Sequence, residues 1–362
     1  MRLLYIGTML FVLVLISGCV GIPDVFGRDV ISVQQNTVQN GVRDIIVIKD
    51  IITIPKSPLL PDQQLLFSFI AENKDNLKNT NAVVDLFNAP TIRSKDGTTS
   101  CNLYISGATD TQTAPNRYCY PTSCGTNVDG CTILPGEEKQ INFQLRTPSQ
   151  DEIKNIKTDT KLDFKLTYEF EGTLTYLMPA ISTDEIIKRQ RSGDKTTLFT
   201  SKSYGSGPVQ IDVEIQGAPY MLSSSDVQTD TVLLFTIKNV GSGNIVNSEI
   251  EGGDFNITFP PEFVVVKNRN FQGTPVENEK FNCYPSNEGG TICKTKDDVS
   301  KDDKPGAIAL YKDQSRSSLM FTVHLKDAIK EPFKTFQITS GVRYDYELRD
   351  SVAMTINPFQ NV

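Results

Sequence analysis

The chain has 362 residues, 38% of them hydrophobic, with 43 acidic and 36 basic side chains and a net charge of −7. This balance lacks the basic footprint of a nucleic-acid binder and is too polar for a multi-span membrane protein. About 340 residues follow the N-terminal apolar run, a length for two domains rather than one.

At the N terminus Arg2 precedes an apolar run from Leu3 to Ile16, which ends in Ser17-Gly18-Cys19. A run this short, with a positive start and small residues at its end, reads as an export signal. A Cys directly after Ser-Gly resembles the lipobox of lipoproteins, where the peptidase cuts before the Cys and the thiol carries the lipid. The resemblance implies lipidation at Cys19 and a mature chain on the extracytoplasmic face of the cell membrane. An uncleaved anchor helix and plain secretion are the alternatives. Residues 1–22 are therefore signal or anchor, and residues 23–43 read as a polar stalk that, fully extended, reaches roughly 65 Å.

Behind the stalk the chain is written in strands. Ile45 to Ile48 and Ile51 to Ile54 are β-branched runs that stop at Pro55 and Pro58. Leu65, Phe67 and Phe69 alternate with polar or outward positions, as do Ile141, Phe143 and Leu145. Leu162, Phe164, Leu166, Tyr168 and Phe170 give the clearest half-buried strand, with period 2 over nine residues. Leu174, Tyr176 and Met178 are expected as its hairpin partner. Ser182 followed by Asp184 and Glu185 predicts a short helix ending at Gly193, and Ser203 to Pro208 reads as a linker. Beyond it, Val209 to Ile215, Leu233 to Ile237, Leu319 to Leu325, Val342 to Leu348 and Val352 to Ile356 again alternate.

The two bodies read as one design used twice. Phe67 matches Phe235, Phe143 matches Phe321, and Tyr168 matches Tyr344, at offsets of 168, 178 and 176. Each copy closes with the same grammar, Tyr-Glu-Phe at 168–170 and Tyr-Asp-Tyr at 344–346. The expected fold is all-β, with two tandem Ig-like antiparallel β-sandwiches at 44–182 and 208–358 and a helix-bearing linker at 183–207. The stretch Phe235-Thr236-Ile237-Lys238-Asn239-Val240-Gly241-Ser242-Gly243 resembles the strand-and-turn signature of cell-adhesion-related β-sandwich domains. The whole layout is similar to membrane-anchored archaeal surface proteins with tandem Ig-like domains. The first copy departs from that signature, with Ala71-Glu72-Asn73-Lys74-Asp75 in place of the glycine-rich turn. The resemblance is structural and implies no catalytic residue.

Six cysteines remain after Cys19, an even number in an exported chain, which predicts three disulfides. Cys283 and Cys293 flank Pro285 and Gly289-Gly290, a spacing that fits a hairpin closed by a disulfide. The repeat offsets favour Cys101–Cys119 as the equivalent bridge, leaving Cys124–Cys131 for a local loop; a four-thiolate zinc site is the rival. His324, the only histidine, lies between Val323 and Leu325 and is expected on the solvated face of its strand. Alone it makes no Ser-His-Asp constellation. Asp297, Asp298, Asp302 and Asp303 offer hard oxygen ligands for calcium, but interleaved lysines and the absence of EF-hand spacing favour a solvated loop. Asn256-Ile257-Thr258 is an N-glycosylation sequon.

No cofactor or metal is implied. The expected function is non-enzymatic: an anchored spacer, adhesion or assembly element that meets a protein or glycan partner at the cell surface, with the 101–131 loop contributing to the contact. An accessory subunit of a membrane or surface-layer machine is the alternative, and a solute-binding protein or unrecognised enzyme is a further one.

Overall fold

The alternating runs fold as strands throughout the computed structural model, which describes residues 31–39, 41–97, 121, 130–266, 280–300, 303–310 and 316–359. The first half forms β1 (Ile31–Gln39), β2 (Ile46–Ile54), β3 (Gln64–Asn73), β4 (Thr80–Asn88), β5 (Arg93–Ser94), β6 (Cys131–Ile133), β7 (Glu138–Arg146) and β8 (Thr158–Ser182). Helix α1 (Thr183–Ser192) and β9 (Thr196–Tyr204) follow. Then come β10 (Val209–Gln216), β11 (Met221–Ser223), β12 (Thr231–Asn239), β13 (Asn244–Ile245), β14 (Glu249–Ile250), β15 (Phe255–Phe259) and β16 (Phe263–Val266). The chain finishes with β17 (Phe281–Pro285), β18 (Thr291–Thr295), β19 (Ile308–Ala309), β20 (Arg316–Leu325) and β21 (Phe333–Ile356).

The all-β sandwich fold is present, and the two copies have matching covers. One is the four-stranded sheet β2-β3-β7-β5, the other β10-β12-β20-β16. Both pack on a single large sheet whose spine is the pair β8 and β21. These strands run antiparallel over all 24 residues of β21, from Phe333 opposite Ile181 to Ile356 opposite Thr158. At about 3.3 Å per residue the ladder is about 80 Å long. β4 flanks the first half of β8 and β9 the second. Each sandwich therefore contains half of a strand that begins in the other.

Three expectations change here. Leu174, Tyr176 and Met178 are not a hairpin partner of Leu162 to Phe170 but the continuation of the same 25-residue strand. Gly172 marks no turn: a Cβ there would sit 2.6 Å from the Val209 carbonyl oxygen, so glycine is required where β10 crosses β8. The stretch expected as stalk contains β1, which pairs in parallel with β9 from Ile31 opposite Thr196 to Gln39 opposite Tyr204. The stretch expected as a helix-bearing linker holds that helix, α1, and also a strand, β9. Ser182 Oγ caps α1 by accepting from the Glu185 amide at 3.2 Å, and Gly193, in the left-handed region at φ 74°, ends it.

The two motifs read as repeat endings are in fact partners. Tyr168 stands opposite Tyr346 and Phe170 opposite Tyr344, with Glu169 opposite Asp345 between them. The offset of 176 that relates Tyr168 to Tyr344 also relates Glu169 to Asp345, so the approximate twofold axis of the duplication passes between these two residues. On the inner face Tyr168 and Tyr346 have ring centroids 5.8 Å apart, and Tyr344 lies 6.3 Å from Tyr346. These buried rings close the waist, and one hydrophobic core runs through it from Ile45 to Ile356. A second small core, with Ile31, Ile181, Ile186, Leu198 and Tyr220, seats α1 and β1 on the end of the second sandwich.

The duplication is also two residues out of the expected alignment in one strand pair. Phe67 faces Phe143, whereas Phe321 faces Leu233 rather than Phe235. The polar anchor of each turn fixes the match. Asn73 Oδ1 accepts from the Asp75 amide at 3.0 Å, and Asn239 Oδ1 from the Gly241 amide at 3.1 Å. Asn73 thus corresponds to Asn239, and Phe69 to Phe235.

Candidate functional site

Among the described residues, two polar clusters and an acidic cleft at the waist are the features that chemistry could use. The first cluster is the turn Val240-Gly241-Ser242-Gly243, which hooks onto the waist. Tyr346 donates its hydroxyl to Asn239 Oδ1 at 3.0 Å and accepts from the Gly243 amide at 2.8 Å. Asp44 Oδ1 accepts from the Ser242 amide at 2.9 Å, and Asn239 Nδ2 donates to the Gly243 carbonyl at 2.8 Å. A Cβ on Gly243 would lie 2.4 Å from the Glu347 carbonyl oxygen, so the close approach needs glycine. The motif that resembled an adhesion-domain signature is a structural clasp.

Burial pushes the Tyr346 hydroxyl up from its ordinary 10 to about 12. A group held neutral in the folded state contributes stability that is complete below the unfolded value near 10 and is lost as pH rises through the folded value. The chain is therefore expected to lose stability between pH 10 and 12, with the Tyr346 contribution absent in Tyr346→Phe. Urea midpoints across that range, with tyrosinate absorbance on the same samples, check it.

The second cluster is partly buried, where β9, β10 and β12 meet. Lys202 of β9 donates to Asp212 Oδ1 of β10 at 2.7 Å, Tyr204 donates to the same oxygen at 3.0 Å, and Lys238 of β12 lies 3.4 Å from Oδ2. Burial alone would raise the Asp212 carboxyl, but the hydrogen bond and charge of Lys202, then Tyr204 and Lys238, hold it below its usual range. The Tyr204 hydroxyl is pushed well up by burial and the nearby carboxylate. A carboxylate kept ionised by two ammonium groups is a clasp, not a proton-transfer centre.

On the outer face at the waist, Glu169, Glu249, Glu251, Asp254, Arg343 and Asp345 line a cleft of about 180 Å³. Arg343 donates through Nε and Nη2 to Asp254 Oδ1 at 3.0 and 2.7 Å, and Glu249 pairs with Lys304. Among the described residues no group of three His, Cys, Asp or Glu side chains could hold a metal ion. Sequence reasoning missed this cleft because its residues come from both halves of the chain and meet only through the β8–β21 pairing.

The residues singled out in the sequence do not converge. Cys283 and Cys293 stand directly opposite on β17 and β18 and are joined by a disulfide. Cys131 is disulfide-bonded. Cys101, Cys119 and Cys124 lie outside the described residues, as do Cys19 and Asp302, so the expected pairings and lipidation fall there. Asn256 of β15 stands half-buried between Lys294 and Gly341. Of the aspartate loop, Asp297 lies 3.7 Å from the Lys294 ammonium. His324 does point away from the core, but it is not freely solvated. Its side chain is 13% exposed, with Nδ1 3.2 Å from Asp230 Oδ1.

No family model matches the chain, and no curated protein does. Among solved structures, the C-terminal domain of the Streptococcus pyogenes antigen I/II-family protein AspA shares 9% identity at a TM-score of 0.17, over 87% of this chain and 100% of that one. The type II cohesin dyad from the adaptor ScaA scaffoldin of Acetivibrio cellulolyticus shares 10% at 0.14, over 90% and 94%. The CFA/I adhesin CfaE of enterotoxigenic E. coli shares 6% at 0.11, over 91% and 99%. Superpositions this slight carry no argument, and the fold assignment rests on the strand ladders.

Proposed function

We propose that this chain is a non-enzymatic, membrane-anchored extracytoplasmic spacer that holds protein-contact surfaces at a fixed distance from the membrane. The observation that carries the reading is the unbroken β8–β21 ladder. Two sandwiches joined by a linker would move independently by default. Here 24 paired residues and one continuous core cross the boundary, so the halves form one stiff body. Stiffness suits a spacer, because a contact surface carried on a rigid body is already oriented and loses less freedom on binding. The polar clusters support the same reading, since the charges of the partly buried one are spent on holding strands together.

The anchor is tested at Cys19, the residue after Ser17-Gly18. Cys19→Ser is expected to shift the protein from the membrane fraction to the soluble extracytoplasmic fraction and to abolish the lipid mass on the N terminus. Unchanged mass and unchanged membrane partitioning in Cys19→Ser would replace the lipid with an uncleaved helix. Crosslinking on intact cells with the wild-type chain is expected to capture protein partners, and turnover by the purified ectodomain would overturn the non-enzymatic reading. Asn256 is carried as a glycan acceptor, checked by a mass difference lost in Asn256→Gln.

A further inference from the structure

We infer that the second sandwich is the membrane-proximal one, and that the first sandwich, although it comes first in the chain, is presented farthest from the membrane. The inference rests on the anchoring reading above. It follows from where the chain enters the fold. Ile31 stands opposite Thr196 at the start of β9, and β9 runs antiparallel to β8 with Ser201 opposite Leu177 and Tyr204 opposite Leu174. The same register puts Thr196 level with Ser182, the end of β8 in the second sandwich. β1 then climbs that sandwich toward the waist, where the Val42 carbonyl accepts from the Gly207 amide at 2.9 Å and Asp44 meets Ser242. Only after this does β2 begin the first sandwich.

Length decides the orientation. Twelve peptide steps separate Cys19 from Ile31, which extend to about 40 Å at most. An uncleaved helix ending near Val20 leaves a tether no longer. If the first sandwich faced the bilayer, Ile31 would lie across a body about 80 Å long. The tether is about half what that arrangement needs. The opposite end, where Leu59 bridges Ile356, exposes Leu60, Ile156 and Phe359, and these apolar side chains are then the ones held outward.

The test uses the full chain with its native N terminus in phosphatidylcholine vesicles that contain an acceptor-labelled lipid. A donor dye is placed at Gln190→Cys on α1 or at Lys157→Cys at the other end, both exposed positions. Energy transfer to the bilayer is expected to be several-fold greater from position 190 than from position 157. A chain that floats with the vesicles but transfers equally from both sites, or more from 157, overturns the orientation alone. A chain that does not float overturns the anchor and the orientation together.

Discussion

A chain shortened to residues 31–204, which removes the whole second half, is expected to be unfolded. A self-sufficient first sandwich would survive that cut. In this architecture the cut removes β21 and with it every backbone partner on one edge of β8. It also removes Tyr346, Met354 and Ile356 from the core beside Tyr168 and Leu162. The Leu59 amide loses the Thr355 carbonyl at 2.8 Å, and the Leu59 carbonyl loses the Asn357 amide at 2.9 Å. Each large apolar side chain withdrawn from the core costs about 1.5–3 kcal/mol. Three such losses, with an exposed strand edge, approach the 5–15 kcal/mol that stabilises a typical domain. Circular dichroism and urea titration of 31–204 read the result: no cooperative transition is expected, and a native-like one would show that the sandwiches fold independently.

The largest effect expected from a single substitution is at Asp212. Lys202 is 6% exposed, and Asp212→Ala leaves its ammonium buried beside Tyr204 without the carboxylate 2.7 Å away. Removing one partner of a buried pair costs about 3–5 kcal/mol, because the remaining charge is stranded. The double variant Asp212→Leu/Lys202→Met is expected to recover much of that loss, since the buried ammonium goes with its partner and the Lys238 ammonium, more exposed, is left to water. Stability from urea unfolding separates the two. The pH dependence has a definite sign. The Asp212 carboxyl is held below its usual range in the folded chain. Its contribution is present above the unfolded carboxylate value near 4 and is lost as pH falls through the lower folded value. Asp212→Asn should therefore be less stable than wild type at neutral pH, with the gap closing in acid.

Much of this fold is legible in the sequence, and its central feature almost is. The helix reads correctly because Ser182 and Gly193 carry their own capping chemistry. The alternating runs read correctly as strands because one face of each is buried, whereas β1, β4 and β9 were not anticipated. The long strand was read as two, because Leu174, Tyr176 and Met178 repeat the alternation of Leu162 to Phe170 as a hairpin partner would. The parity of the buried residues argues against the tightest hairpin: Leu162, Phe164, Leu166, Tyr168, Phe170, Leu174, Tyr176, Met178 and Ala180 are all even-numbered. A two-residue hairpin pairs positions whose numbers sum to an odd value, so its second strand would turn odd-numbered side chains inward. Unbroken parity excludes a two-residue hairpin, but a three-residue loop at 171–173 would preserve it, so parity alone does not separate the hairpin from the single strand that the ladder shows. The pairing of 168–170 with 344–346 was not readable, because similarity between two segments does not distinguish equivalents from partners. Asn73 had no visible match to Asn239, since the turn behind it carries Lys74 and Asp75 where the second copy has Val240 and Gly241. The acidic cleft and the Asp212 clasp depend on strands that meet only through sheet topology, which local patterns do not encode.

Hydrogen exchange in increasing urea tests the one-body account most directly. The amides to follow are those of β3 and β7 in the first sandwich and of β12 and β20 in the second. If the β8–β21 ladder and the shared core fuse the halves, all four strands open with the same free energy and the same urea dependence, in one global unfolding event. Complete exchange in one sandwich while the other remains protected would contradict the account.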